Sequence, residues 1–400
     1  MSYNIPLMSD NISRGDINEL INFLQQDPIP RLTNGAKVEE FEKKWSEWLG
    51  VKHSVFVNSG TSANYATMAL LKYKHGPCEV IVPPLTWVSD VASIMNTGHK
   101  PVFVDINLSN LSFDIDKLEK SITPKTKAIF ITHVLGLNAL TDDIINLCKD
   151  RNLLLIEDVC ESHGATFKDQ KVGSIGDISN FSFYFAHHMS TIEGGMVCTD
   201  NDEYYDILRF TRSHGMVREC KSDQFKQAVK NAHPDLNPDF IFLSPAYNFR
   251  STEINAVLGI SQLKKLDKNN KQRKENFKYF LSNLNSDKYI TTLDIEGQCN
   301  YAFIVILKEE NLLKRDKIET MLRKNNIEFR RGLSGGGNQL RQPYIEKNSN
   351  TLPRTWQRGM TDEQLREHFP NIDNYSWYIG NYPSLQKEKI SNLITLLNKV

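Results

Sequence analysis

The sequence sets two histidines side by side, His187 and His188, in the stretch FSFYFAHHMSTIEGG (Phe181–Gly195). Imidazole takes up and gives back protons near neutral pH, with an ordinary pKa of about 6.5. The stretch reads as a short buried strand, the His pair, and a Gly-Gly turn into a further strand, MVCT. Upstream, VNSGTSANYATM reads as strand, Ser-Gly-Thr, helix. Small residues there expose backbone N–H groups to an anion, so the segment is an anion site or a plain N-cap. LLLIEDVCESHGA places Glu157 and Asp158 directly after an apolar run. A carboxylate at the end of a buried strand needs a partner. That partner is a structural Arg, or the protonated ring nitrogen of a cofactor such as pyridoxal phosphate. Trp87, after VPPLT, stacks on such a ring or fills core. His214, Arg218, Asn248, Arg250, Arg330 and Arg331 are surface residues if scattered. Gathered at one site, they suit a phosphorylated, anionic substrate.

These residues need elements to position them. Seven short apolar runs read as strands: 54–57, 79–83, 101–106, 128–134, 153–158, 178–183 and 195–199. Between several of them lie segments with apolar residues at helical spacing, such as TSANYATMALLKYK and DIDKLEKSIT. Such alternation predicts an α/β fold with a mostly parallel sheet covered on both faces. Ligands on such sheets sit at the carboxyl ends of the strands, which is where the polar residues above fall. Residues 216–243 read as an irregular inserted loop, and a long helix starts at Glu253. A strand in YAFIVILK and a helix in KIETMLRKNNIEF follow, in a smaller α+β unit. The expected division is a large cofactor-binding domain over 1–250, with the N-terminal segment, and a small domain over 251–400.

Composition narrows the partners. The 400 residues carry 48 Lys+Arg and 48 Asp+Glu, so no charge excess points to nucleic acid or an acidic membrane. No apolar run reaches the roughly 18 residues of a membrane span. The N-terminus lacks the pattern of a secretory leader. The six cysteines are far apart, without C-x-x-C, as in a reducing cytoplasmic protein.

Taken together, NSGTSAN, VPPLTW, FVDI, IEDVCESHGA, FSFYFAHHMSTIEGG, HG and YNFRSTEINAVLGISQL follow one another in an order that resembles the DegT/DnrJ/EryC1/StrS sugar aminotransferases. The resemblance runs from TNGAKVEEFEKKW to the C-terminus. It implies the type I pyridoxal-phosphate transferase fold, similar to aspartate aminotransferase. In that family a lysine five residues after the Ser of the Ser-Phe-aromatic segment binds the cofactor as a Schiff base. Here the count from Ser182 lands on His187, and no Lys occurs between Gly173 and Cys220. Imidazole cannot form that bond.

A His at this place resembles a subset of the family, the nucleotide-sugar 3-dehydratases. Those acting on GDP-4-keto-6-deoxymannose in colitose and lipopolysaccharide O-antigen biosynthesis carry a similar His pair. A CDP-linked relative adds an iron–sulfur cluster held by clustered cysteines. Here Cys220 stands alone, so no metal is expected. The resemblance implies pyridoxamine phosphate as the working cofactor, glutamate as amino donor and His187 as acid–base. Asp158 would meet the pyridinium nitrogen, Trp87 the ring face, and Gly60, Thr61 and Ser182 the phosphate. Glu161 would lie beside the cofactor. Asn248 would reach a neighbouring subunit's phosphate in a homodimer. Pro30, Arg31, Leu32 and Thr33 would touch the nucleotide, with His214, Arg218 and Arg330 on the substrate side. The rival readings are an aminotransferase using another lysine (Lys168 or Lys171), a CDP-type dehydrase, and an inactive nucleotide-sugar-binding relative.

Overall fold

The computed structural model describes residues 3–9, 12–348 and 370–400. Nine strands precede the long helix: β1 (His53–Val57), β2 (Glu79–Val82), β3 (Lys100–Phe103), β4 (Thr126–Thr132), β5 (Leu154–Asp158), β6 (Thr166–Phe167), β7 (Gln170–Lys171), β8 (Ile178–Ser182) and β9 (Gly195–Thr199). β6 and β7 form a small hairpin; the other seven make one sheet in the order β1-β9-β8-β5-β4-β2-β3. β9 is antiparallel to both its neighbours, and every other pairing is parallel. All seven runs read as strands from the sequence are therefore strands of this sheet.

Alternation along each strand feeds two cores. On β4, Ile129 and Ile131 join Phe41, Trp45 and Phe181 on one face. Ala128 and Phe130 join Met68, Leu71 and Ile156 on the other. The helices lie where the spacing predicts, and side chains cap them. Ser59 precedes the helix Gly60–His75 and accepts from Ser62 N, and Asp114 does the same for Ile115–Ser121.

The segment 216–243 departs from the expected irregular loop. It contains a 3-10 turn, Val217–Glu219, and a helix, Asp223–Ala232, capped by Ser222. Phe225, Ala228, Val229 and Ala232 recur there at helical spacing, although none of the helix's residues is buried.

The helix Glu253–Asn283 has 31 residues. Its start docks on the helix Ala36–Leu49, and the Glu253 carboxylate accepts from the backbone N–H of Gly35, Lys37 and Val38 at 2.9–3.0 Å. Its far end contributes Phe277 and Phe280 to a third core beneath β10 (Ala302–Ile306), β11 (Phe329–Arg331) and β12 (Ser376–Gly380). These three strands form an antiparallel sheet in the order β10-β12-β11. Ile5 and Met8 belong to this third core, and Ile5 bridges Ile327.

Candidate active site

β1, β2, β4, β5 and β8 run in one direction and end on one side of the large sheet. A cavity opens over those ends. It is lined by Ser59, Gly60 and Thr61 after β1, Trp87 after β2, and Thr132 at the end of β4. Asp158 and Glu161 come from the end of β5, Ser182 and His187 from β8 and its loop. Tyr301, Glu328, Arg330, Ser334 and Tyr378 close it from the small sheet.

The start of the helix Gly60–His75 packs against the end of β8. A Cβ on Gly60 would stand 2.6 Å from Ser182 Cβ, so the position admits only glycine without displacement. The first-turn N–H groups have no helical acceptor and face the cavity end of the helix. Trp87 is half-exposed in the cavity wall. Gly335, at φ +84°, lies against its indole, where a Cβ would come within 2.6 Å. The backbone amide of Gln339 donates to Pro84 O at 2.8 Å and holds this loop on the segment that carries Trp87.

The two acids at the end of β5 part company because successive side chains of a strand face opposite ways. Glu157 points away from the cavity. It pairs with His133 Nε2 at 3.0 Å and accepts from Gly173 N at 2.7 Å and Gly176 N at 2.6 Å. Of the two partners the sequence offers, neither meets Glu157: a histidine and a turn do. Asp158 lines the cavity, and its Oδ1 accepts from Cys160 N at 2.8 Å. Behind it sits Asp90, fully buried and held by Asn64 Nδ2 at 2.6 Å and by Thr86 and Thr132. Burial, reinforced by the charge of Asp158, pushes the Asp90 carboxyl well up.

His187 is carried by the loop between β8 and β9. Phe183 N donates to Gly194 O at 2.9 Å, Thr191 N to Phe183 O at 3.0 Å, and Asn255 Nδ2 to Thr191 O at 2.6 Å. His187 faces the cavity. Burial, with help from the positive charge of Arg273, holds its imidazole down at about 4, so it is neutral and able to accept a proton at neutral pH. His188 turns the other way: it donates from Nε2 to Cys299 O at 2.7 Å and stacks on His163 at 5.3 Å. Among the described residues no lysine lines the cavity.

Glu161 accepts from Leu135 N at 2.8 Å and lies 3.5 Å from the Tyr301 hydroxyl. Burial, against the Leu135 N–H and together with the Asp158 charge, raises its carboxyl to about 7. Arg330, at the mouth, pairs with Glu328 at 3.1 Å.

One chain therefore brings together Gly60, Thr61, Trp87, Asp158, Glu161, Ser182, His187 and Arg330. Asn248, His214, Arg218 and Pro30–Thr33 do not line this cavity. His214 and Asn248 are exposed, with Asn248 bridged to Ser213, and Arg218 stacks on Phe240 at 5.1 Å. Sequence reasoning missed Asp90, Tyr301, Ser334 and Tyr378. Asp90 follows Trp87 by one helical turn and was open to the same reading. The other three come from the small sheet and its loop, and carry no local signal. The donors present fit a phosphorylated pyridine ring: amides at a helix start for the phosphate, a carboxylate at a strand end for the ring nitrogen, and an indole for its face.

The DegT/DnrJ/EryC1/StrS aminotransferase family matches residues 12–359. The chain belongs to this family. A relative within it, the GDP-4-keto-6-deoxy-D-mannose 3-dehydratase of Yersinia pseudotuberculosis, is 32% identical over 99% of this chain and 98% of its own length. The GDP-perosamine synthase of Caulobacter vibrioides is 37% identical over 58% of each chain. In solved structures, the Escherichia coli GDP-4-keto-6-deoxy-D-mannose 3-dehydratase with bound hydrated PLP has a TM-score of 0.83 at 28% identity, covering 99% of this chain and 100% of that one. A GDP-4-keto-6-deoxymannose 3-dehydratase with a trapped PLP–glutamate geminal diamine has a TM-score of 0.82, also at 28% identity, covering 98% and 100%. The fold of this family, a large mostly parallel sheet and a smaller α+β unit, is the type I pyridoxal-phosphate transferase fold expected from the sequence.

Proposed function

We propose that this chain is a PLP/PMP-dependent 3-dehydratase of a nucleotide-linked 4-keto-6-deoxyhexose, with GDP-4-keto-6-deoxymannose as substrate and glutamate as the donor that recharges the cofactor. The observation that carries this reading is an imidazole, His187, at a cavity that no described lysine lines. An amine there would favour amino transfer; an imidazole moves protons. The identity to two GDP-4-keto-6-deoxymannose 3-dehydratases along nearly the whole chain supports the substrate, and the glutamate adduct in one of them supports the donor.

When bound, the cofactor supplies a primary amine and a conjugated ring able to hold an electron pair. The chain's own groups do the rest. The N–H groups of Gly60 and Thr61, with Ser182, would hold the cofactor's phosphate, Asp158 its ring nitrogen, and Trp87 its ring. His187 removes a carbon-bound proton and returns one to the departing C3 hydroxyl. Glu161 keeps a proton beside the cofactor up to near neutral pH. Arg330 meets the substrate's charge at the mouth. Asn248, His214, Arg218 and Pro30–Thr33 complete the nucleotide and phosphate contacts across a homodimer.

The second reading is an aminotransferase, favoured by the perosamine synthase relative. Product analysis separates them. The protein is incubated with PLP, glutamate and GDP-4-keto-6-deoxymannose, with the CDP-linked 4-keto-6-deoxyglucose in parallel. A dehydratase releases a sugar one oxygen lighter together with ammonia. An aminotransferase releases an amino sugar, and an inactive binder neither.

A further inference from the structure

Arg273 lies in the middle of the helix Glu253–Asn283 and is fully buried. Its Nη1 donates to Asn381 O and, at 3.4 Å, to Tyr301 O; Nη2 points at Met8 Sδ at 3.9 Å. Nε has no hydrogen-bond acceptor. Among the described residues no carboxylate pairs with it. A buried guanidinium without a counterion is costly, and a neutral side chain of similar length would relieve that cost.

One segment, Cys299–Tyr301, touches both Arg273 and a cluster of histidines. Cys299 O takes the His188 Nε2 proton at 2.7 Å, and Tyr301 O takes Arg273 Nη1. The Tyr301 ring meets His187 at 6.0 Å and His188 at 6.3 Å, edge-on or tilted. His163 completes the group, 5.3 Å from His188 and 6.1 Å from His187 between ring centres. Other ionisable groups around His187 are Tyr184 on its own loop, and Asp158, Cys160, Glu161, Glu193, Glu328, Arg330 and Tyr378 across the cavity.

We propose that Arg273 is a positioning residue for the proton-carrying imidazole: its buried charge adds to the effect of burial in keeping His187 in the neutral, proton-accepting form. In a weakly polarisable interior a fixed cation opposes a second one nearby. Burial and Arg273 act in the same direction on His187 and His188, holding both imidazoles down, and Arg273 adds to the same effect on His163. Burial lowers Arg273 itself only to about 10, so it remains charged at neutral pH. The inference rests on the reading of His187 as the proton carrier, and the test separates the two.

The full-length chain, isotope-labelled at histidine and purified without added cofactor, is titrated by NMR, with His187→Asn to assign the resonance. Wild type should keep His187 neutral well below its ordinary range. Arg273→Met should raise the proton affinity of His187 at least tenfold, and Arg273→Lys should restore the wild-type curve. Arg273→Gln, which can still donate to the Tyr301 and Asn381 carbonyls, is the neutral variant to use if Met does not fold. A wild-type His187 that titrates in the ordinary range overturns the inference without any variant. So does an unchanged curve in the neutral variants, or a Lys variant that shifts as far as Met. If the imidazole curve moves in Arg273→Met while the acid limb of kcat/KM stays in place, the tuning stands and the role assigned to His187 fails.

Discussion

His187 and His188 are adjacent in the chain but serve opposite sides of one loop: His187 faces the cavity, and His188 donates to Cys299 O at 2.7 Å behind it. One is open to a ligand in the cavity, and the other anchors the loop. His187→Asn should bind PMP and nucleotide sugar yet lose about 10²–10⁴-fold in dehydration rate, the usual contribution of a general acid–base. His188→Asn should keep measurable turnover and lose about 1–2 kcal/mol of stability, through the hydrogen bond to Cys299. Steady-state rates and urea midpoints check both. A dead His188→Asn beside an active His187→Asn would reverse the assignment.

The cofactor should not be covalently attached at rest. Borohydride treatment of the PLP-loaded protein should leave the intact mass of the chain unchanged. His187→Lys should acquire a reducible bond, seen as an added pyridoxyl mass on the peptide containing residue 187. A pyridoxyl adduct on any lysine of the wild type contradicts the site described above.

Gly60 lies where a Cβ would come within 2.6 Å of Ser182 Cβ. Gly60→Ala should therefore push the helix start away from β8 and weaken PLP binding by about 1–3 kcal/mol, the usual cost of overpacking. Adding Ser182→Gly removes the clash and should recover part of the loss. Titration by PLP absorbance measures each.

The Glu161 carboxyl stays protonated in the folded chain up to about 7, whereas an unfolded Glu releases its proton near 4.5. Between those values the folded state holds the extra proton, so this group lowers stability as pH rises. Glu161→Gln should remove that loss. The difference in unfolding free energy between variant and wild type, both without cofactor, should shift toward the variant by about 3 kcal/mol from pH ~4.5 to pH ~7. A pH-independent difference would refute the raised carboxyl.

The seven strands of the large sheet were legible because strands buried on both faces are near-continuous apolar runs, visible without partners. The helix Asp223–Ala232 carries its own stripe, Phe225, Ala228, Val229 and Ala232, masked by its polar surroundings and by Pro234 and Pro238 just beyond it. The imidazole at position 187 was legible as well, since it is read directly from the chain five residues after Ser182. Glu157 and Asp158 look alike in the sequence; the pleat sends one to the turn at Gly173–Gly176 and the other to the cavity.

By itself, then, the sequence determined the parallel-sheet class, the strand-end placement of Gly60, Trp87, Asp158 and Ser182, and the imidazole at position 187. Each is local: a run of apolar residues, a small residue at a helix start, or a count along one segment. Tertiary structure alone decided that Tyr301, Ser334 and Tyr378 close the cavity, that Glu161 meets the Tyr301 hydroxyl, and that Arg273 and His188 bind the same segment, Cys299–Tyr301. Glu161 and Tyr301 are 140 positions apart, joined through the packing of the small sheet on the large one. No periodicity along the chain encodes such a contact; it exists only once the two sheets share a boundary.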